Sequence, residues 1–186
     1  MKKVSGLILK LLGWKIYFDD SLKIDKAIVL MAPHTSMIDF WLGRLAFWNL
    51  RLPVKFIIKK ELFWFPMGLM LKMMGGIPID RSKGKSVTDS IVDLFNSREK
   101  LMIVITPEGT RKLVHHWKKG FHIIAQRAEV PVLLGYVDYK KKIGGVGQLF
   151  VPTDDFEKDL KEIQKFYKNI SAKYPKNFNL SPENMR

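Results

Sequence analysis

His34 and Asp39 lie in the segment Pro33-His34-Thr35-Ser36-Met37-Ile38-Asp39. An imidazole, with a pKa of about 6.5, is suited to take a proton from an attacking hydroxyl. A carboxylate behind it fixes the tautomer and stabilises the imidazolium that forms. The local sequence permits that pairing. Pro33 holds Ala32 extended, Ser36 is placed to cap a helix, and Asp39 falls in the helix's first turn, folded back toward the His34 ring. A structural reading competes with it, because Ser36-x-x-Asp39 has the form of a capping box and the helix dipole favours an early aspartate.

Two further segments carry candidate chemistry. Pro107-Glu108-Gly109-Thr110-Arg111 follows an apolar run and combines a glycine that lets backbone approach closely with an arginine fork for bidentate contact, the makings of a phosphate seat or simply a turn. Gly75-Gly76-Ile77-Pro78-Ile79-Asp80-Arg81 brings a second arginine, Arg81, after another short apolar run. Other chemistries lack their parts. There is no cysteine, which removes disulfides, thiolate metal sites and cysteine nucleophiles, and no Gly-x-Ser-x-Gly elbow is present. One His and one Asp do not make a metal site without further ligands, so none is expected, and His115, His116 and His122 have no acidic partner at a persuasive spacing.

The elements that must position these residues alternate. Residues 27–31, 54–58, 76–79, 101–105 and 132–137 read as strands, with a glycine-weakened candidate at 143–151. Residues 37–50, 61–74, 86–97, 120–129 and 154–172 read as helices. This rhythm predicts a single α/β domain with a mixed, mostly parallel sheet flanked by helices. All three candidate segments then fall at strand carboxyl ends, where open α/β sheets place their ligand crevice. The run Leu62 to Leu71, with methionines at 67, 70, 73 and 74, could line an acyl tunnel, dip into a bilayer or pack a core.

The chain of 186 residues carries 32 Lys+Arg against 18 Asp+Glu, a formal charge of +14, which favours anionic partners. No run reaches the roughly 18 apolar residues of a spanning helix. Residues 1–14 instead set Val4, Leu7, Ile8, Leu11 and Leu12 opposite Lys2, Lys3 and Lys10, the pattern of a helix lying on a membrane surface or covering a core. Residues 175–186 read as a loose polar tail. A noncatalytic basic protein binding membrane or nucleic acid is the competing class. Nucleic acid is not expected, because Phe40, Trp41, Phe63 and Trp64 sit in apolar stretches rather than among basic residues.

In this order the segments resemble the lysophosphatidic acid acyltransferase family, the glycerophospholipid acyltransferases. His34-x-x-x-x-Asp39 is similar to its first block, Gly76 to Arg81 to its second, Pro107 to Arg111 to its third and Val130-Pro131-Val132 to its fourth. The resemblance implies an acyltransferase domain over residues 15–174, with His34 as general base and Asp39 as its orienting partner. Arg81, Glu108, Gly109, Thr110 and Arg111 are then expected around the acceptor's phosphate and glycerol. It further implies direct acyl transfer from acyl-carrier protein or acyl-CoA to a lyso-lipid or glycerol-phosphate-type acceptor, without a cofactor. The expected location is peripheral, on the anionic cytoplasmic face of the inner membrane. Pro33, Thr106 and Lys112 depart from the family's usual residues and leave the acceptor open.

Overall fold

The computed structural model describes residues 1–80, 84 and 86–181. Seven strands form one sheet: β1 (Lys15–Phe18), β2 (Lys26–Met31), β3 (Val54–Lys59), β4 (Gly76–Ile79), β5 (Leu101–Ile105), β6 (Val132–Asp138) and β7 (Ile143–Phe150). Their order is β1-β7-β6-β2-β5-β3-β4. Every pairing is parallel except the β6–β7 hairpin, as the alternating pattern predicts for a mostly parallel mixed sheet.

The helices are α1 (Lys2–Leu11), α2 (Met37–Leu50), α3 (Met67–Met73), α4 (Val87–Asn96), α5 (Gly120–Arg127) and α6 (Phe156–Tyr167). Alternation along β2 divides the core. Ile28 and Leu30 point into a cluster with Phe95 of α4, Phe121 of α5 and Ile163 and Tyr167 of α6, while Ala27 and Val29 face Phe47 of α2. Leu9 of α1 joins Leu42, Val137 and Trp14 in a smaller cluster on the α2 side. No described helix is long and apolar enough to cross a membrane.

Four features differ from the sequence expectation. β1 was not foreseen, because four residues of alternating burial beginning with a lysine carry little strand signal. The single helix predicted over 61–74 is a 3-10 turn at Lys60–Leu62 followed by α3; Pro66 lacks an N–H and disfavours helical geometry at Phe65, so the break falls there. The helix predicted over 154–172 is confined to α6, which starts where Asp155 caps it by accepting from Lys158 N–H at 3.0 Å. The described part of the polar tail is docked: Leu180 is buried, Trp117 Nε1 donates to the Asn179 carbonyl, and Ser181 N–H donates to Gln164 Oε1 at 2.7 Å.

Candidate active site

β2 and β5 are neighbours, with Leu30 opposite Ile105, so the loops that leave their carboxyl ends emerge side by side. His34 comes from the first loop and Glu108 from the second. Ser36 caps α2 with its Oγ accepting from Ile38 N–H at 3.1 Å, which sets Asp39 in the first turn with its carboxylate turned back.

Asp39 is 6% exposed, and both of its carboxylate oxygens are engaged. Oδ2 accepts from Thr35 N–H at 2.7 Å and Ser36 N–H at 2.8 Å, and lies 3.3 Å from His34 Nδ1. Oδ1 accepts from Tyr139 O–H at 2.6 Å. The capping box and the dyad are therefore not alternatives; one carboxylate serves both. Burial works against its charged form, but the hydrogen bonds from His34, Tyr139, Ser36 and Thr35 outweigh it and hold the carboxyl below its usual range. An ionised Asp39 on Nδ1 leaves Nε2 as the ring nitrogen free to accept a proton.

Tyr139 was not legible as a site residue. β6 runs past the end of β2, since Met31 pairs with Gly135 and the strand continues to Asp138, and the overhang delivers the next residue to Asp39. Trp14 packs edge-on against the phenol ring at 5.2 Å. Burial first, then the bond to Asp39, raise the phenol above its usual pKa, so it remains a donor.

Glu108 departs from the sequence expectation. It does not face outward toward an acceptor: it is 2% exposed, and its Oε1 accepts from the His34 backbone N–H at 2.9 Å. Burial pushes its carboxyl up to about 7, and Oε2 has no hydrogen-bond partner among the described residues. It braces the His34 loop from beneath. Gly109, Thr110 and Arg111 lie on the exposed turn that follows, where Gly109 takes φ +64° and Asn177 Nδ2 donates to the Arg111 carbonyl. Arg81 lies outside the described residues. His122, for which the sequence offered no partner, is paired with Asp159 at 2.9 Å, both 3% exposed; Asp159 also accepts from Thr153 N–H and Oγ1, so the pair ties α5 to α6.

Two cavities meet at the end of β5. One of about 180 Å³ ends on His34 and Asp39 and is otherwise walled largely by apolar groups, among them Met31, Phe40, Phe47 and Phe56. Gly43 of α2 leaves room there, since an added Cβ would meet only Phe47 and Met31 at 3.9 and 4.0 Å. The other, about 370 Å³, shares Val104 and Thr106 with the first and includes Gly109 and Lys118. The Lys118 chain lies against Gly109, with Nζ 2.7 Å from where a Cβ would stand. Nothing in the spacing of Lys118 singled it out. Residues 62 to 71 line neither cavity, and Leu62, Trp64, Phe65, Leu69 and Met70 are exposed.

The sequence model of a family described as Acyltransferase matches residues 14–134, more than half the chain. No curated protein matches it. Among solved structures, the chain is similar to the crystal structure of the 1-acyl-sn-glycerophosphate (LPA) acyltransferase PlsC from Thermotoga maritima. The TM-score is 0.64, with 17% identity over 89% of this chain and 74% of that one, a likeness of fold.

Proposed function

Because the chain belongs to the acyltransferase family, we propose that it moves a fatty acyl group from a thioester, acyl-carrier protein or acyl-CoA, to a hydroxyl of a phosphate-bearing lyso-lipid, with His34 as general base. The observation that carries the reading is the apolar cavity that ends on the dyad, because it would set an acyl chain with its carbonyl next to His34.

His34 Nε2 takes the proton of the acceptor hydroxyl as its oxygen bonds to the thioester carbonyl carbon. Asp39 stabilises the imidazolium. As the carbonyl re-forms, the C–S bond breaks and the thiolate takes the proton from Nε2, so the base returns to its starting state. No covalent acyl-enzyme and no cofactor is called for. The second cavity suits the acceptor headgroup, with Lys118 as a point charge for its phosphate and Arg111 on the adjoining turn.

A membrane-surface location, peripheral and on the cytoplasmic face of the inner membrane, fits the exposed apolar residues. Val4, Leu7 and Leu11 of α1 point outward while Ser5 and Leu9 pack inward, and Trp64, Phe65, Leu69 and Met73 are exposed at and before α3. Exposed apolar groups of that number belong to an interaction surface.

The test is product analysis after purified protein is mixed with an acyl thioester and a panel of lyso-lipids and neutral acceptors. Acylation of phosphate-bearing lyso-lipids that is lost in a folded His34→Ala variant is expected, since a general base contributes about 10² to 10⁴ in rate. Preferential acylation of neutral acceptors would sink the phosphate assignment, and full activity of the variant would sink the base.

A further inference from the structure

A large cleft lies away from the dyad. It occupies about 620 Å³ at the carboxyl end of α2, against the start of β3 and the turn before β4. α2 begins beside the dyad and ends here. A helix of 14 residues is about 20 Å long, and among the described residues Phe47 alone lines both this cleft and the cavity that ends on the dyad.

Five cations line the cleft: Lys2, Lys3, Arg44, Arg51 and Lys55. Among the described residues, no acidic side chain lines it. Among the described residues, none of the five has a carboxylate within 4 Å. Arg44 is the unusual member. It is 4% exposed, its Nη1 donates to the Val54 and Met74 carbonyls at 2.9 Å each, and its guanidinium lies over Trp48 and Phe56. Its Nε is buried and has no hydrogen-bond partner among the described residues. Two carbonyls supply dipoles but no counter-charge, and burial lowers its pKa to about 10. A buried charge without a counter-ion is costly, and four more positive side chains around it add repulsion. An anion in the cleft would relieve both.

The remaining wall is apolar. Trp48, Leu52, Pro53 and Met73 contribute to it, and Met73 stands 70% exposed at the rim. Val4 and Leu7, both exposed, continue the apolar surface along α1 from Lys2 and Lys3. A free inorganic anion would use the cations and leave this wall unused. An amphiphile uses both.

We propose that this cleft binds the phosphate-bearing headgroup of an anionic phospholipid, as a site separate from the one where acyl transfer occurs. It extends the membrane-surface reading above by giving the surface a lipid preference, and the two are separable because a monomeric short-chain lipid tests the cleft without a bilayer.

Thermal melts of the full chain would be followed with dihexanoyl phosphatidylglycerol, dihexanoyl phosphatidylcholine and inorganic phosphate, the lipids below their micelle concentrations. Stabilisation by a ligand follows its concentration over its dissociation constant. The phosphatidylglycerol is expected to raise the melting temperature with a dissociation constant at least five-fold tighter than the other two. An Arg51→Gln/Lys55→Gln variant should lose at least five-fold of that affinity and keep its transfer rate to a soluble acceptor. An α6 pair, Lys158→Gln/Lys161→Gln, should bind as the unaltered protein does. Equal binding of phosphatidylcholine would reduce the cleft to an apolar groove, and equal binding of phosphate to a simple anion site. Equal loss in the α6 variant would mean diffuse charge, and no binding at all would mean no site. Each of those outcomes overturns the proposal. Retained monomer binding with no vesicle co-sedimentation would overturn the membrane reading alone.

Discussion

Tyr139→Phe is the most informative single change at the dyad, because it removes one oxygen atom and one hydrogen bond and leaves the ring that packs on Trp14. A hydrogen bond to a charged group contributes about 1.5 to 3 kcal/mol. If all of that were expressed only in the transition state, kcat would fall about 10- to 150-fold, at 1.36 kcal/mol per factor of ten. Oδ2 of Asp39 keeps its two backbone donors at 2.7 and 2.8 Å, so the carboxylate cannot swing far, and the lower end, about tenfold, is expected. Neither cavity at the site includes Tyr139, so the KM of donor and acceptor should hold. Thiol release from the donor, followed continuously, gives both constants. The decisive arm is the double variant. A phenol that acts through the Asp39 charge matters little once that charge is gone, so Tyr139→Phe should cost almost nothing in an Asp39→Asn background. A full tenfold loss in that background, or a loss appearing in KM, would refute the reasoning and leave Tyr139 as a packing residue.

Gly43→Leu should fill the space beside Met31 and Phe47 and move donor preference toward shorter chains, read as the ratio of kcat/KM across a series of acyl thioesters; an unchanged ratio would take the acyl chain out of that cavity. Lys118→Met should raise the KM of a phosphate-bearing acceptor about tenfold or more and leave the donor's KM unchanged, with partial recovery in Lys118→Arg. Glu108→Gln should alter how stability depends on pH. The folded pKa is raised from 4.5 to about 7, so the folded state keeps a proton that the unfolded state releases, and stability falls as pH rises through that window by about 3 kcal/mol. Melts at pH 5 and 8 should show the variant losing less than the unaltered protein. Leu7→Glu with Leu11→Glu, both exposed, should weaken vesicle co-sedimentation without lowering the melting temperature, whereas a truncation through Leu9 would remove a core residue and test nothing cleanly.

The parts of the fold and site that could be read ahead are those that chain-local chemistry determines. Apolar runs ending at Met31 and Ile105 read as buried parallel strands, and both do end beside one crevice. Pro33 and Ser36 determine the turn into α2 within a few residues, so the approach of Asp39 to His34 could be argued from spacing. Contacts made across the sheet were not legible in the same way. Tyr139 is 100 positions from Asp39, and only the extra length of β6 beyond β2 brings them together. His122 and Asp159 likewise meet because two helices pack on one face of the sheet. For Glu108 the sequence put the residue in the right loop but gave no direction, since a turn does not reveal which side chain turns inward. The inward turn makes Glu108 a brace for His34. That changes what the Pro107 to Arg111 segment offers: its one acidic residue holds the His34 loop from within, and under the proposed function acceptor contacts would come from the exposed residues after it and from Lys118, whose chain lies against Gly109.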